Sequence, residues 1–216
     1  MYKRQGKVTS TGITLYGNLQ NKDGAYIDLI TKYGQVKSEY DLKTAVGLDS
    51  VHGEYKAPVS SFSVEYGKRM IEKTGLYYEP SVEMTFSRVA SSDHTVISAK
   101  KVHMNIHQDE MTSTIARLGV SIGKETNESH IFAKLAVAHE FNGKLRTAFA
   151  VEKSNANPKG DFKEVKLDFS GTWLDIELGG SYKMSDTSYI YGTFTKNFGA
   201  KLDSKWRLDA GIRFAF

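Results

Sequence analysis

The stretch Lys205-Trp206-Arg207-Leu208-Asp209-Ala210-Gly211-Ile212-Arg213-Phe214-Ala215-Phe216 decides how this chain is read. Trp206, Leu208, Ala210, Ile212, Phe214 and Phe216 take every second position, and Lys205, Arg207, Asp209, Gly211, Arg213 and Ala215 the positions between. Successive side chains of a β-strand point to opposite faces, so this is a strand with one apolar and one charged face. A helix would mix the two sets around its circumference.

The same alternation recurs upstream. Leu174, Ile176, Leu178, Tyr182 and Met184 oppose Asp175, Glu177, Ser181 and Lys183. Ala116, Leu118, Val120 and Ile122 oppose Arg117, Gly119, Ser121 and Gly123. Tyr78, Pro80, Val82, Met84 and Phe86 oppose Tyr77, Glu79, Ser81, Glu83 and Thr85, and Ile27, Leu29 and Tyr33 oppose Tyr26, Asp28 and Lys32. Weaker versions run through 61–67, 131–141 and 188–198. Short turns at Asn21-Lys22-Asp23-Gly24, Lys73-Thr74-Gly75, Lys124-Glu125-Thr126-Asn127 and Met184-Ser185-Asp186-Thr187 separate the runs. Longer polar connections are expected at 40–56, 89–110, 143–171 and 199–204. Short and long connections in alternation predict an all-β, up-and-down antiparallel transmembrane barrel with unequal rims.

Composition narrows the field. With 216 residues the chain fits one domain or two small ones, and aromatics at 12% argue against disorder. No apolar run approaches the ~18 to 20 residues of a membrane-spanning helix. The absence of cysteine excludes disulfides, thiolate metal sites and cysteine nucleophiles. The 29 basic and 25 acidic residues are interleaved rather than clustered, so no nucleic-acid partner is expected. No apolar signal segment follows Met1.

A soluble antiparallel sandwich competes with the membrane barrel. The polar faces mix small residues with opposite charges, which suits a wet lumen lined by Asp28, Glu65, Glu79, Glu83, Arg117, Asp175, Glu177, Arg207 and Arg213, with Lys32, Lys134 and Asp209 beside them. Aromatics sit near strand ends on the apolar faces (Tyr66, Tyr78, Tyr182, Trp206, Phe216), as in interfacial girdles. Leu118, Val120, Ile176, Leu178, Leu208 and Ile212, mid-strand on those faces, are expected to face lipid.

Trp206 to Phe216 resembles the last strand of the translocator domain of classical (type V) autotransporters of Gram-negative bacteria. Gly24-Ala25-Tyr26-Ile27-Asp28-Leu29, Gly75-Leu76-Tyr77-Tyr78-Glu79-Pro80 and Arg117-Leu118-Gly119-Val120 with Gly123 resemble further motifs of that family, in the family's order. The resemblance covers about Gly12 to Phe216. It implies an outer-membrane barrel that anchors and helps export an N-terminal passenger, with outer-membrane lipid, the barrel-assembly machinery and the passenger as partners. The alternative is a stand-alone structural or adhesin barrel. The family barrel has twelve strands behind a pore helix; about nine strands are read here, so residues 6–216 are expected to be a partial barrel domain and Met1 to Gln5 to lie outside it. The resemblance also implies that Leu208, Ala210, Gly211, Ile212, Phe214 and Phe216 form an assembly signal, and that Arg117, Glu79 and Glu83 are the lumen charges best suited to contact a passing segment.

Enzyme chemistry finds little support. His52, His94, His103 and His107 lie near Asp49, Asp93, Asp109 and Glu110, as rim-protease chemistry would require, but no companion motif accompanies them. No nucleophile elbow, P-loop or dinucleotide fingerprint is present. No catalytic residues, metal, cofactor or small-molecule substrate are expected.

Overall fold

The computed structural model describes residues 4–43, 50–98, 103–151, 161–201 and 206–214. They form one antiparallel sheet of β1 (Arg4–Gln20), β2 (Ala25–Lys43), β3 (Ser50–Lys68), β4 (Met70–Ile71), β5 (Leu76–Val89), β6 (Ser92–Ser98), β7 (His103–Gln108), β8 (Met111–Glu125), β9 (Ser129–Glu140), β10 (Lys144–Val151), β11 (Asp161–Asp168), β12 (Gly171–Ser185), β13 (Ser188–Phe198) and β14 (Arg207–Phe214). Several of these are pieces of longer runs. β4 continues the register of β3 against β5, interrupted where Pro80 has no N–H to donate. Joining β3 with β4, β5 with β6, β7 with β8, β9 with β10 and β11 with β12 leaves nine runs in up-and-down order. β1 pairs only with β2, and β14 only with β13, among the described residues.

Two expectations need correction. The stretches 40–56, 89–110 and 143–171 are largely strand, not polar connections: β2 and β3 reach into the first, β6 and β7 fill much of the second, and β10 and β11 much of the third. The first ladder also takes in Arg4 and Gln5, which the sequence set outside the barrel domain.

In the second and third of these stretches the register explains why the strands were hard to read; β2 and β3 run through the first with no slip between them. β3 pairs with β5 in one register and with β6 in a register one residue different. β9 against β12 and β10 against β11 also differ by one. Between them the registers of β5–β8 and β6–β7, and of β8–β9 and β7–β10, run on unchanged. Three neighbouring runs therefore each carry one extra residue, near Ala90-Ser91, Asp109-Glu110 and Asn142-Gly143. This row of β-bulges turns the inside/outside alternation over by one position.

The sheet curls toward one face. Lys134 on β9 reaches Glu65 on β3 at 3.1 Å across β5 and β8, which a flat sheet with strands ~4.8 Å apart would not allow. That concave face carries small and polar residues, with Ser81, Ser121, Ala136, Ala138 and Glu79 buried on it. The convex face carries the large apolar side chains, and they are exposed: Leu118 is 69% exposed, Leu178 50% and Ile131 60%. In a water-soluble protein so continuous an apolar surface would be anomalous. The band runs from Ile131 on β9 to Phe141 just past its end, about 26 Å at ~3.4 Å per residue and ~40° tilt.

At the short-turn rim, neighbouring hairpins are knitted together. Arg69 N donates to Gly24 O at 2.8 Å, Glu125 N to Gly75 O at 2.8 Å, and Lys183 N to Glu128 O at 2.7 Å. Gly24 and Gly75 have φ of 84° and 81°, and a Cβ on either would overlap the carbonyl of Arg69 or Glu125. The Asp23-Gly24 and Thr74-Gly75 signals are thus required twice, for the turn and for the seam.

Candidate functional site: the concave wall

Glu65 and Glu83 stand directly opposite each other on β3 and β5, an arrangement that like charges alone would destabilise. Cations from farther along the curl resolve it. Lys134 binds Glu65, and Arg117 bridges Glu83 and Asp175 at 3.3 Å each. Glu83 also accepts from Ser63 at 3.0 Å and Thr85 at 2.6 Å. Nearer the short-turn rim, Glu79 is 8% exposed and takes the Arg69 guanidinium and the Tyr26 hydroxyl, the latter at 3.0 Å. Arg69 lies 4.5 Å from the centroid of the Tyr77 ring, and the Tyr77 hydroxyl meets His130 Nε2 at 2.7 Å. Rings cover bare backbone on this face: Tyr26 lies over Gly67, Tyr77 over Gly123 and Phe132 over Gly179, each pair directly opposed across two strands.

All nine expected lumen residues lie on the concave face. Asp28 accepts from Tyr16 at 3.0 Å, Asp175 from the Trp173 indole at 2.9 Å, Arg207 binds Asp209 at 2.8 Å, and Arg213 lies over the Tyr189 ring. Arg117, Glu79 and Glu83, the charges singled out for contact with a passing segment, are each held by wall partners. Glu177 makes no hydrogen bond or ion pair among the described residues, and it lines both concave cavities. One, of about 320 Å³, reaches from Asn18 to His130; the other, of about 370 Å³, lies between Glu83 and Arg207. The sequence placed Tyr26 on the polar face beside Asp28 but missed Arg69 and His130 as parts of this lining. Arg69 could have been found by carrying the odd-numbered polar face of β3 two positions past Gly67.

The six residues expected to face lipid all lie on the convex face: Leu118, Val120, Ile176, Leu178, Leu208 and Ile212. Of the expected assembly signal, Leu208, Ala210, Gly211, Ile212 and Phe214 are in β14, while Phe216 lies outside the described residues.

Above the bulge row the wall reverses. Tyr40, Tyr55, His94, Met104, Ile106 and Phe149 gather on the concave side, where Ala57, Val96 and Ile106 are buried. The convex side there carries Arg88–Glu110, Lys37–Glu54, His52–Asp41 and the chain Asp93–His107–Asp109–Arg146–Glu164. Buried Glu140 sits at the changeover, accepting from Ser113, from the Thr114 amide at 2.9 Å and from the Asn142 amide at 3.0 Å.

Three of the four rim histidines, His52, His94 and His107, thus have partners of their own. His107 places Nδ1 2.6 Å from Asp93 and Nε2 3.1 Å from Asp109; two carboxylates on two ring nitrogens call for the imidazolium, and the Asp93 hydrogen bond raises its pKa. His94 bonds Tyr40 and stacks on Tyr55, and burial lowers its pKa. No group of three or more metal-ligating side chains is found among the described residues, and Asp49 lies outside them.

A curled up-and-down antiparallel wall, with its large apolar side chains outside and its charges inside, defines this chain as an antiparallel β-barrel protein. The chain belongs to the autotransporter family: the family model described as "Autotransporter beta-domain" matches residues 2–195. The pertactin autotransporter of Bordetella parapertussis is 21% identical over 216 residues, 98% of this chain and 22% of that protein. The autotransporter adhesin/invasin TibA of Escherichia coli O78:H11 is 24% identical over 219 residues, 100% of this chain and 21% of that protein. The chain thus spans about a fifth of the length of these relatives. The crystal structure of the β-domain of the Bordetella autotransporter BrkA shares the fold, with a TM-score of 0.67 at 17% identity, covering 98% of this chain and 75% of that one.

Proposed function

We propose that this chain serves as a translocator barrel in a Gram-negative outer membrane, anchoring an N-terminal passenger polypeptide and helping to export it. The convex band lies in the lipid and the concave face lines a wet passage. The observation that carries this reading is the inside-out distribution of side chains within the autotransporter family fold. The role needs no catalytic residue: the lining holds and guides a polypeptide, and most of its charges brace the wall. Glu177, which lines both cavities and has no hydrogen-bond or ion-pair partner among the described residues, is the charge best placed to meet a passing segment. The edge of β14 that has no partner among the described residues offers a strand that the barrel-assembly machinery can capture by β-augmentation.

The test is carried out in the complete gene product in a Gram-negative cell. Glu177→Lys should leave the amount of heat-modifiable, membrane-inserted barrel unchanged while slowing surface appearance of the passenger, read by protease access. Full insertion with an undiminished display rate removes Glu177 from the passage. A passenger that never reaches the surface, even with the unaltered barrel fully inserted, favours a stand-alone structural barrel.

A further inference from the structure

On the convex face near the short-turn rim there is a groove of about 630 Å³ between β5, β8 and β9. Its volume falls in the range of ~300 to 1,000 Å³ typical of ligand-holding clefts. The walls are apolar, made by Met70, Leu76, Tyr78, Ile122, Ile131 and Ala133. Two opposite charges line the same groove, Glu72 and Lys124. Both lie at its rim-ward end, Glu72 in the turn after β4 and Lys124 at the last turn-ward positions of β8. Neither side chain has a hydrogen-bond or ion-pair partner among the described residues, although the same rim pairs Arg69 with Glu125 and Lys183 with Asp186. An apolar slot closed at one end by an unpaired cation and an unpaired anion is complementary to a molecule with an apolar body and a zwitterionic head.

We propose that this groove seats one phospholipid of the inner leaflet, with its phosphate on Lys124 and a primary ammonium on Glu72. The short turns of such barrels face the periplasm, so the charged end of the groove meets the inner-leaflet headgroups. The acyl chain runs up between Tyr78 and Ile122. A primary ammonium donates hydrogen bonds to the Glu72 carboxylate, and a choline group cannot. A phosphatidylglycerol head brings no cation, so Glu72 selects against it. The site therefore prefers phosphatidylethanolamine. This inference rests on the reading that the convex face meets lipid.

The experiment separates the two. In protein with Trp173→Phe and Trp206→Phe, one reporter is placed in the groove (Tyr78→Trp, or Leu76→Trp should the first not fold). A second, Ile190→Trp, is placed at the short-turn end of the convex face of β13. Each is refolded into vesicles in which the phosphatidylethanolamine, the phosphatidylcholine or the phosphatidylglycerol carries brominated acyl chains, and tryptophan quenching is measured. The groove reporter should show about fivefold preference for brominated phosphatidylethanolamine, the factor that about 1 kcal/mol for one exposed pair between the Glu72 carboxylate and the lipid ammonium supplies. Glu72→Gln should abolish the preference over phosphatidylglycerol, and Lys124→Gln should weaken the retention of every phospholipid. The Ile190→Trp reporter should be quenched by all three alike. Quenching of both reporters without preference overturns the groove and leaves the lipid-facing surface intact. Quenching of neither overturns the lipid-facing surface and the groove together.

Discussion

Below the bulge row and above it, the same strands carry opposite dress. On β8 the convex residues are Ala116, Leu118, Val120 and Ile122, backed by Arg117, Gly119 and Ser121 on the concave side. On β7, the same run continued, the concave residues are Met104 and Ile106, backed by Asn105 and His107 on the convex side. Backbone geometry is the same in both, so the difference belongs to the surroundings. The lower half puts apolar atoms outward, where a lipid bilayer would receive them. The upper half buries them inward, as a sheet in water does. One extra residue in each of three adjacent runs changes the phase between the two regimes.

The comparison breaks first, and most severely, at a charge placed on the convex band. Leu178→Arg should cost about 2 to 4 kcal/mol in bilayer folding. Ala148→Arg, on the convex side of β10 above the bulges, should cost almost nothing. Urea titrations in lipid vesicles measure both; equal costs would mean that one solvent surrounds both halves.

A somewhat smaller loss is expected where a ring covers a glycine. Gly123→Val sets a branched side chain against the Tyr77 ring and the Ile131 carbonyl, an overpacking cost of about 1 to 3 kcal/mol. Loss of the Tyr77–His130 bond should accompany it, visible in the His130 ring resonances.

The changeover itself is addressed by Glu140→Ala, which strands the Thr114 and Asn142 amides. The expected cost is about 1 to 3 kcal/mol, with faster hydrogen exchange confined to those amides. Uniformly faster exchange along β8 and β9 would assign Glu140 to the sheet as a whole and not to the bulge.

The smallest effects concern pH in the upper half, and there the two histidines oppose each other. His107 has a raised pKa, so its contribution is complete below the unfolded value of about 6.5 and is lost as pH rises through the folded pKa. His94 has a lowered pKa, so its contribution is present above about 6.5 and is lost as pH falls through the folded pKa. Protease nicking of the upper hairpins should therefore grow at alkaline pH in a way His107→Gln abolishes, and at acid pH in a way His94→Phe abolishes.

Most of the lower half was legible in the sequence, because strict alternation runs unbroken through stretches such as Trp206 to Phe214. The upper half was not. At Val89-Ala90-Ser91-Ser92 and Gln108-Asp109-Glu110-Met111 the phase slips, and the period-two signal cancels across the slip, so strands read as polar connections. The partners of individual charges were not legible either. Glu65 meets Lys134 only because the sheet curls, and nothing local to either residue announces curvature. Arg69 was passed over because the alternation was followed only to Gly67, although the same register runs on through β4.

The central claim is that one continuous wall changes solvent at the bulge row. The most direct measurement is a nitroxide scan, one cysteine at a time, along residues 104–122 in lipid vesicles, reading accessibility to oxygen and to a water-soluble nickel chelate. Oxygen maxima are expected at even positions from Thr112 to Ile122, with a one-residue phase slip between Gln108 and Met111 and nickel maxima at Asn105 and His107. An alternation that runs through 104–122 without a slip, or nickel access on the even positions below it, would contradict the account.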